Sequence, residues 1–428
     1  MDASVSSKKN STSTFEADVR GIVGAQYARA AAVTDAIGGA RPGIVVEPGS
    51  EQELAKVLKL ANAAGLAVIP RGGGTKLEWG NRLARADVIL STARLNRVIE
   101  HAWADLTASV EAGCTIGRLQ ETLAKHGQRL ALDALWPERA TVGGVVSTND
   151  SGALRLRFGS LRDLVIGVTL ALADGTVASS GGKVVNNVAG YDLPNLVTGA
   201  FGTLGVITRA IFRLHPLPKE TRTISCDAAN VFEAQQTVLA IQNSKLAHSA
   251  LQICFETGTQ PRVDVLFEGT EAGLATQTAQ AKLMMSAATP GGSRDGTWDA
   301  QRAIYSRPKR GASFAVAKIA TLPGRMGETL EAIGKLGEGL QWSGVVQATG
   351  IGCVRLEGAA RAVENAVRTL RATLHGDGGS LVIAHRSASM EELDAWGSAG
   401  DILGLMQAVK QQFDPSGTLN PGRFVGGI

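Results

Sequence analysis

The stretch Ile69 to Lys76 reads IPRGGGTK and sets three consecutive glycines directly after a short apolar run. Tandem glycine loses more backbone entropy on folding than any other choice, so the chain needs either positive φ values here or a bare backbone that something approaches closely. Two phosphate motifs fail at this point. The P-loop pattern is absent, and Leu77 stands where the third glycine of a dinucleotide fingerprint would be. The following TKLEWGNR leads into another strand with no room for a helix. A phosphate at this place would therefore be held by a nest of successive backbone N–H groups and not by a helix dipole. For a triple glycine on its own, a tight turn without a ligand is the competing reading.

The flanking pattern is β-α-β. A β-branched run (IVVE, from Ile44) precedes a helix announced by the capping box Ser50-x-x-Glu53 and stopped by Gly65. DVILS (87–91) and TASVEAG (107–113) read as strands, and CTIGRLQETLAKHG as a helix capped by Thr115 and closed by Gly127. Asp174-Gly175 marks a hairpin, and GTLGVITRAIFRL supplies another strand. The prolines of His215-Pro216-Leu217-Pro218 mark a boundary. Beyond it, strands are expected near 221–226, 249–256, 261–268, 312–321, 346–356 and 380–385, with helices near 229–243, 270–287, 325–338 and 359–374. The fold class is thus α+β, its second part a cap of ferredoxin-like βαβ units. A helix near 401–412 and the tail FDPSGTLNPGRF follow, and PGGSRDG (290–296) is the expected mobile loop.

A length of 428 residues suits two domains. With 4% aromatic residues and 43 basic against 39 acidic side chains in no long run, a nucleic-acid partner is not expected. Cys114, Cys226, Cys254 and Cys353 lie far apart, which argues against a zinc or iron-sulfur site on this chain and for reduced, intracellular thiols. No apolar run approaches the ~18 residues of a membrane span, and the polar N-terminus reads as a disordered tail over 1–20.

A second paired glycine shifts the weight toward a ligand. The stretch 141–152, TVGGVVSTNDSG, joins Gly143-Gly144 to small hydroxyl and amide side chains suited to a large, flat polar molecule. PRGGGT after a β-α-β unit, TVGGVVSTNDSG, GYDLPNL (190–196), GTLGVITR (202–209) and the closing NPGR together resemble the FAD-binding domain of the p-cresol methylhydroxylase and vanillyl-alcohol oxidase type. Within that superfamily the chain is most similar to the FAD-binding subunit of bacterial glycolate oxidase. The resemblance implies a tail at 1–20, an FAD domain over 39–218, a cap over 219–398, and a segment 399–428 that returns to the FAD domain. It implies FAD contacts from Arg71, Gly72, Gly73, Gly74, Thr75 and Lys76, and from Thr141, Val142, Gly143, Gly144, Ser147, Thr148, Asn149, Ser151 and Gly152. Gly205, Val206 and Ile207 complete the implied set. Thr75 stands where covalently flavinylated members carry histidine, so noncovalent FAD is expected. Asn186 stands where a lysine is expected, and Lys183, three residues earlier, falls on the opposite face of a strand.

Oxidation of a 2-hydroxy acid needs a cation for the carboxylate and a base or metal for the hydroxyl proton. Self-sufficient relatives carry a histidine-rich metal site in the cap; this cap has only His248, His375 and His385, and His375 reads as part of a capping turn, so no metal is expected. The candidate catalytic residues are His385, Arg386 and Arg355. The resemblance then implies a glycolate-oxidase-like complex. In it this chain passes electrons, a sister flavoprotein oxidises the acid and an iron-sulfur subunit is a further partner. Such a complex would be cytoplasmic and would reach the inner face of the membrane only through partners. An autonomous FAD-dependent 2-hydroxy acid dehydrogenase and a flavin-stabilised assembly protein are the alternatives.

Overall fold

The computed structural model describes residues 14–182, 191–285, 289–291, 296–305, 311–390 and 392–428. The disordered tail expected over 1–20 is cut short. Residues 14–23 form a helix, α1, because Phe15 and Val19 on one face are buried against the first β-α-β unit. Residues 1–13 lie outside the described residues.

The first sheet has β1 (Ala28–Ala30), β2 (Ile44–Val46), β3 (Val68–Arg71) and β4 (Val88–Ser91) in the order β1-β2-β4-β3. β2, β4 and β3 run parallel, with α2 (Glu51–Ala63) as the crossover. Ser50 caps α2 by accepting from Glu53 N, while the Glu53 carboxylate takes Gly49 N. Leu54, Val57, Leu58 and Ala61 form the helix's buried stripe.

The second sheet is antiparallel. It contains β5 (Val98–Ala102), β6 (Thr107–Glu111), β8 (Val165–Ala171), β9 (Val177–Gly181) and β10 (Val206–Arg213), ordered β5-β6-β10-β8-β9. A two-residue strand β7 (Gln128–Arg129) pairs with β11 (His215–Pro216) beside it. Helices α3 (Ile116–Ala124) and α4 (Val142–Thr148) pack on this sheet through Ile116, Leu119, Leu123, Val142, Val145 and Val146. Three short helices, α5 (Arg155–Phe158), α6 (Leu161–Leu164) and α7 (Leu193–Val197), fill the connections around β8 and β9.

The rest of the chain builds one eight-stranded antiparallel sheet from two copies of a single pattern. The first copy is β12 (Glu220–Asp227), α8 (Val231–Gln242), β13 (His248–Glu256), β14 (Arg262–Gly269), α9 (Glu271–Met284) and β15 (Thr289–Gly291). After the short α10 (Ala300–Ile304), the second is β16 (Ser313–Ala320), α11 (Met326–Gly334), β17 (Gln341–Gln347), β18 (Ile351–Gly358), α12 (Ala360–Gly376) and β19 (Ser380–Arg386). The strand order β15-β12-β14-β13-β17-β18-β16-β19 places each copy in the fourth-first-third-second arrangement of a ferredoxin-like unit. The copies join along their second strands, β13 and β17. The single strand expected over 346–356 is in fact the β17–β18 hairpin, which turns at Gly350 with φ of 80°. Most of the expected loop at 290–296 lies outside the described residues.

Alternation along the strands gives this sheet two distinct faces. Ala315, Ala317 and Ile319 meet the helices α8, α9, α11 and α12, while Phe314 and Val316 meet Trp79 and Leu135 of the N-terminal domain. A last helix, α13 (Leu403–Phe413), leads the chain back. Leu419 bridges to Val68, with Val68 N donating to Thr418 O and Asn420 N to Val68 O, so residues 418–420 extend the first sheet beside β3.

Gly344 sits opposite Phe255 at the seam between the two copies, and a Cβ there would overlap the Phe255 ring and fall 2.8 Å from the Cys353 carbonyl oxygen. Gly344→Val is expected to lower stability by about 1–3 kcal/mol, the cost of overpacking a fitted core. An unchanged urea midpoint would show that the ring swings aside without penalty.

Candidate functional site

A cavity opens where β3 ends, and its wall is largely bare backbone. Arg71, Gly72, Gly73, Gly74, Thr75 and Lys76 form one side; Thr141, Gly143, Gly144, Ser147 and Thr148 form the other; Gly205, Val206 and Ile207 form the floor. These fourteen of the eighteen residues implied by the sequence meet around one space. Val142 does not, because it is the first residue of α4 and points into the core. Asn149, Ser151 and Gly152 also lie off the wall. The stretch 141–152 is therefore not one loop: Thr141 caps α4, accepting from Gly144 N, and Asn149 ends it in the left-handed region with φ of 46°. Other residues also line the cavity: Pro70, Thr92, Phe201 and Gly202, which were not anticipated, and Asn420 and Arg423 of the closing segment expected to return here.

The glycines answer a close approach more than a special torsion. Only Gly74 of the three has positive φ, 71°. A Cβ on Gly73 would collide with the carbonyl oxygen of Arg139, and one on Gly72 with Oγ1 of Thr141. The two sides of the cavity thus touch backbone to backbone at its closed end.

Charged groups fix both sides. Asp35, 5% exposed, takes Arg71 Nη1 at 2.7 Å and Arg29 Nη1 at 2.7 Å, and these guanidiniums hold its carboxyl well below the usual carboxylate range. Lys76 Nζ reaches Asp150 Oδ2 at 2.8 Å; both side chains are buried, and Leu135 N donates to the same oxygen at 3.1 Å. Arg423 is buried too and donates to the carbonyls of Trp79, Lys76 and Leu77; burial pulls its guanidinium down to about 10. Asn420 Nδ2 donates to Phe201 O at 2.7 Å, whereas its Oδ1 is buried with no partner among the described residues. A long backbone-lined slot with an unsatisfied amide oxygen suits an extended polar cofactor that brings its own donors and acceptors.

The cap sheet closes over this cavity. Trp79 stacks on Tyr305 at 5.6 Å between ring centroids, and Trp136 meets Tyr305 edge-on at 5.4 Å. With Thr75, Glu78 and His385 these rings line a neighbouring chamber of about 360 Å³. From β16, Lys318 directs its ammonium over Trp79, 4.6 Å from the ring centroid, and toward Thr148 O at 3.5 Å. Burial lowers the Lys318 pKa, with Asp150 opposing that shift. Sequence reasoning missed Lys318, although a lysine inside the apolar strand SFAVAKIA, in register with Phe314 and Val316, was a signal.

The catalytic candidates are dispersed. His385 Nε2 pairs with Glu78 Oε2 at 2.9 Å across the two domains and keeps the Glu78 carboxyl below its ordinary value. Arg386 donates to Gly80 O at 3.2 Å. Arg355 is held by Glu357 at 3.0 Å and by Ile304 O at 3.1 Å, with its guanidinium over Phe314. His375 ends α12, and among the described residues no three metal-binding side chains come together. Lys183 and Asn186 lie outside the described residues.

Residues 42–181 match the family model described as FAD binding domain. This segment is an FAD-binding domain. The solved p-cresol methylhydroxylase with substrate bound shares the fold of the whole chain, with a TM-score of 0.79 at 15% identity over 97% of this chain and 96% of its own. Glycolate oxidase subunit GlcD of Bacillus subtilis is 31% identical over 57% of this chain and 51% of its own length. D-lactate dehydrogenase of Archaeoglobus fulgidus is 32% identical over 47% of this chain and 45% of its own. The chain thus spans about half the length of these curated relatives. A fuller match, 25% identical over 90% of this chain and 89% of the relative, is D-2-hydroxyglutarate dehydrogenase of Xanthomonas citri pv. viticola.

Two expected outcomes test this geometry. Gly73→Ala cannot keep the closed end of the cavity and should lose FAD retention, read as flavin per polypeptide after gel filtration; full retention would show that the Arg139 carbonyl yields. Asp35→Asn should weaken FAD retention at neutral pH by freeing Arg71. Because the Asp35 pKa is depressed in the folded protein, its charge contributes fully above the usual carboxylate range and is lost as the pH falls through and below it. The difference between the two proteins should therefore shrink in acid.

Proposed function

We propose that the chain is an FAD-dependent dehydrogenase of 2-hydroxy acids whose reacting site lies between the glycine-lined cavity and the cap sheet. The observation that carries this reading is the meeting of that cavity, at Thr148, with an ammonium group and aromatic rings supplied from both domains. The named relatives, a glycolate oxidase subunit and dehydrogenases of D-lactate and D-2-hydroxyglutarate, support the substrate class.

In this reading Gly72 to Thr75 and Gly143 to Gly144 hold the cofactor through backbone, Arg71 and Asn420 through side chains, and Gly205 to Ile207 along the floor. Bound FAD supplies the two-electron acceptor for the hydrogen leaving the carbinol carbon. The chain's own residues must fix the carboxylate, keep water out and take the hydroxyl proton. Trp79, Trp136 and Tyr305 exclude water from the junction, which strengthens electrostatic contacts inside it. His385 is the imidazole on the wall of the adjoining chamber, held by Glu78, and is the proton acceptor in this reading.

A second reading makes the chain the FAD-carrying subunit of a glycolate-oxidase-like complex with a sister flavoprotein and an iron-sulfur subunit. The printed name of the Bacillus subtilis relative favours it, as does the pairing of Arg355 and His385 with carboxylates.

The purified chain is expected to be yellow and to release intact FAD on acid or heat precipitation, because Thr75 offers no imidazole for a covalent link. Flavin that stays with the precipitate would reject noncovalent binding. Mixed anaerobically with glycolate or D-lactate, the isolated protein should lose its yellow absorbance, and His385→Ala should slow that loss by about 100-fold to 10,000-fold, the usual worth of general base catalysis. If bleaching appears only after a sister flavoprotein is added, the subunit reading replaces the autonomous one.

A further inference from the structure

Tyr305 carries a hydrogen-bond donor that its surroundings leave unused. It follows the last residue of α10, between the two domains, and is 8% exposed. Its hydroxyl oxygen is buried and has no hydrogen-bond partner among the described residues. An unmet hydroxyl inside a protein costs free energy, so such a group in a native fold calls for an explanation.

The ring that carries it is pinned from two directions. Trp79 stacks on it with an interplanar angle of 17°, and Trp136 meets it edge-on at 77°. Trp136 is set there by a left-handed backbone, φ of 51°, a conformation that is costly for a bulky side chain. A phenolic oxygen lies on the axis of its ring. Fixing the ring therefore fixes the oxygen, and only the hydrogen is left to turn.

The environment also keeps the group a donor. Burial, with the Cys353 thiol and the Asp150 carboxylate adding to it, pushes the phenol well above its ordinary pKa, so it stays protonated at neutral pH. Asp150 is bound at 2.8 Å to Lys76, a wall residue of the glycine-lined cavity, while the Tyr305 side chain lines the neighbouring chamber together with His385. Tyr305 thus belongs to the junction of the two spaces.

We propose that Tyr305 touches the substrate and donates a hydrogen bond to the oxygen on C2 of the 2-hydroxy acid. The proposal rests on the 2-hydroxy acid reading above and adds a second group at the reacting oxygen. In the reaction the C2 hydroxyl gives its proton to His385, the C2 hydrogen leaves with its electron pair to the bound flavin, and the C–O bond becomes the carbonyl of the 2-oxo acid. Negative charge grows on that oxygen as its proton departs. A fixed donor aimed at it is worth more in the transition state than in the alcohol. The same donor favours a ligand with oxygen on C2 over one with hydrogen there, because the second leaves the hydroxyl unpaired.

The test uses the FAD-bound full chain and two ligands that differ only in the oxygen on C2, pyruvate and propionate. Their dissociation constants are read from flavin absorbance and tryptophan fluorescence. Tyr305→Phe removes the hydroxyl and keeps the ring. In that variant the ratio of the propionate constant to the pyruvate constant is expected to fall by about 5- to 100-fold, the worth of leaving a buried donor without its acceptor. Anaerobic bleaching by D-lactate should slow by about 10- to 1,000-fold. An unchanged ratio, or bleaching by D-lactate that is as fast in the variant, overturns the proposal. Without ligand, Tyr305→Phe should keep its flavin through gel filtration and melt no lower than the unaltered protein, since it loses an unpaired group. A lower melting temperature would assign the hydroxyl to a protein partner, and lost flavin would assign it to the cofactor; either result also overturns the proposal. Failure of the broader reading looks different. If no 2-hydroxy acid bleaches the unaltered protein while the ratio still falls, the contact stands and the dehydrogenase reading fails, whereas bleaching with an unchanged ratio keeps the reading and loses the contact.

Discussion

The ion pair between Lys76 and Asp150 joins two segments that no secondary-structure element connects. Lys76 closes the glycine-rich turn after β3, and Asp150 follows the end of α4 on the opposite side of the cavity. Removing both groups from water costs several kcal/mol, and their attraction returns this only if geometry is good and other donors help. Leu135 N supplies such help. The pair spans the same two walls that meet where Gly72 and Gly73 approach Thr141 and Arg139.

Much of this architecture could be read in the residues because local signals were strong. Ser50, Gly65, Thr115 and Gly127 punctuate helices through capping and left-handed turns, and each does so in the structure. What was illegible came from contacts distant in sequence. The helix at 14–23 has too short an apolar stripe to announce itself and exists because Phe15 and Val19 find α2. The β17–β18 hairpin was hidden because both arms are apolar and Gly350 alone marks the turn. At the site, the glycines were legible and their reason was not. They suggested positive φ, whereas Gly72 and Gly73 serve backbone contact. Lys318 escaped notice because its place depends on contacts across the two domains, with Trp79 and Thr148.

The cap shows how a repeated unit acquires a one-sided role. Its two ferredoxin-like copies place four helices on one face, which leaves the other face free to meet the FAD-binding domain. Only the copy formed by β16 to β19 brings Phe314, Val316, Lys318 and Arg355 toward the junction. The equivalent face of the first copy carries an internal polar network instead, Gln252, Cys254, Arg262 and Asp264 bonded among themselves. The first copy also meets the FAD-binding domain, at β14, where Glu268 accepts from both Nη groups of Arg129 at 2.7 and 2.6 Å.

The position of Asn420 and Arg423 has a consequence for how the protein comes into being. These residues line a cavity whose other walls come from residues 70–77, 92, 141–148 and 201–207, and 418–420 extend the sheet at its base. A ribosome releases them more than two hundred residues after the last of those walls, with the whole cap made in between. During synthesis the N-terminal domain therefore waits with β3 as an unpaired edge and with the carbonyls of Lys76, Leu77 and Trp79 lacking their guanidinium. The last of these cavity-lining residues to be made thus belong to the piece that seals the first sheet.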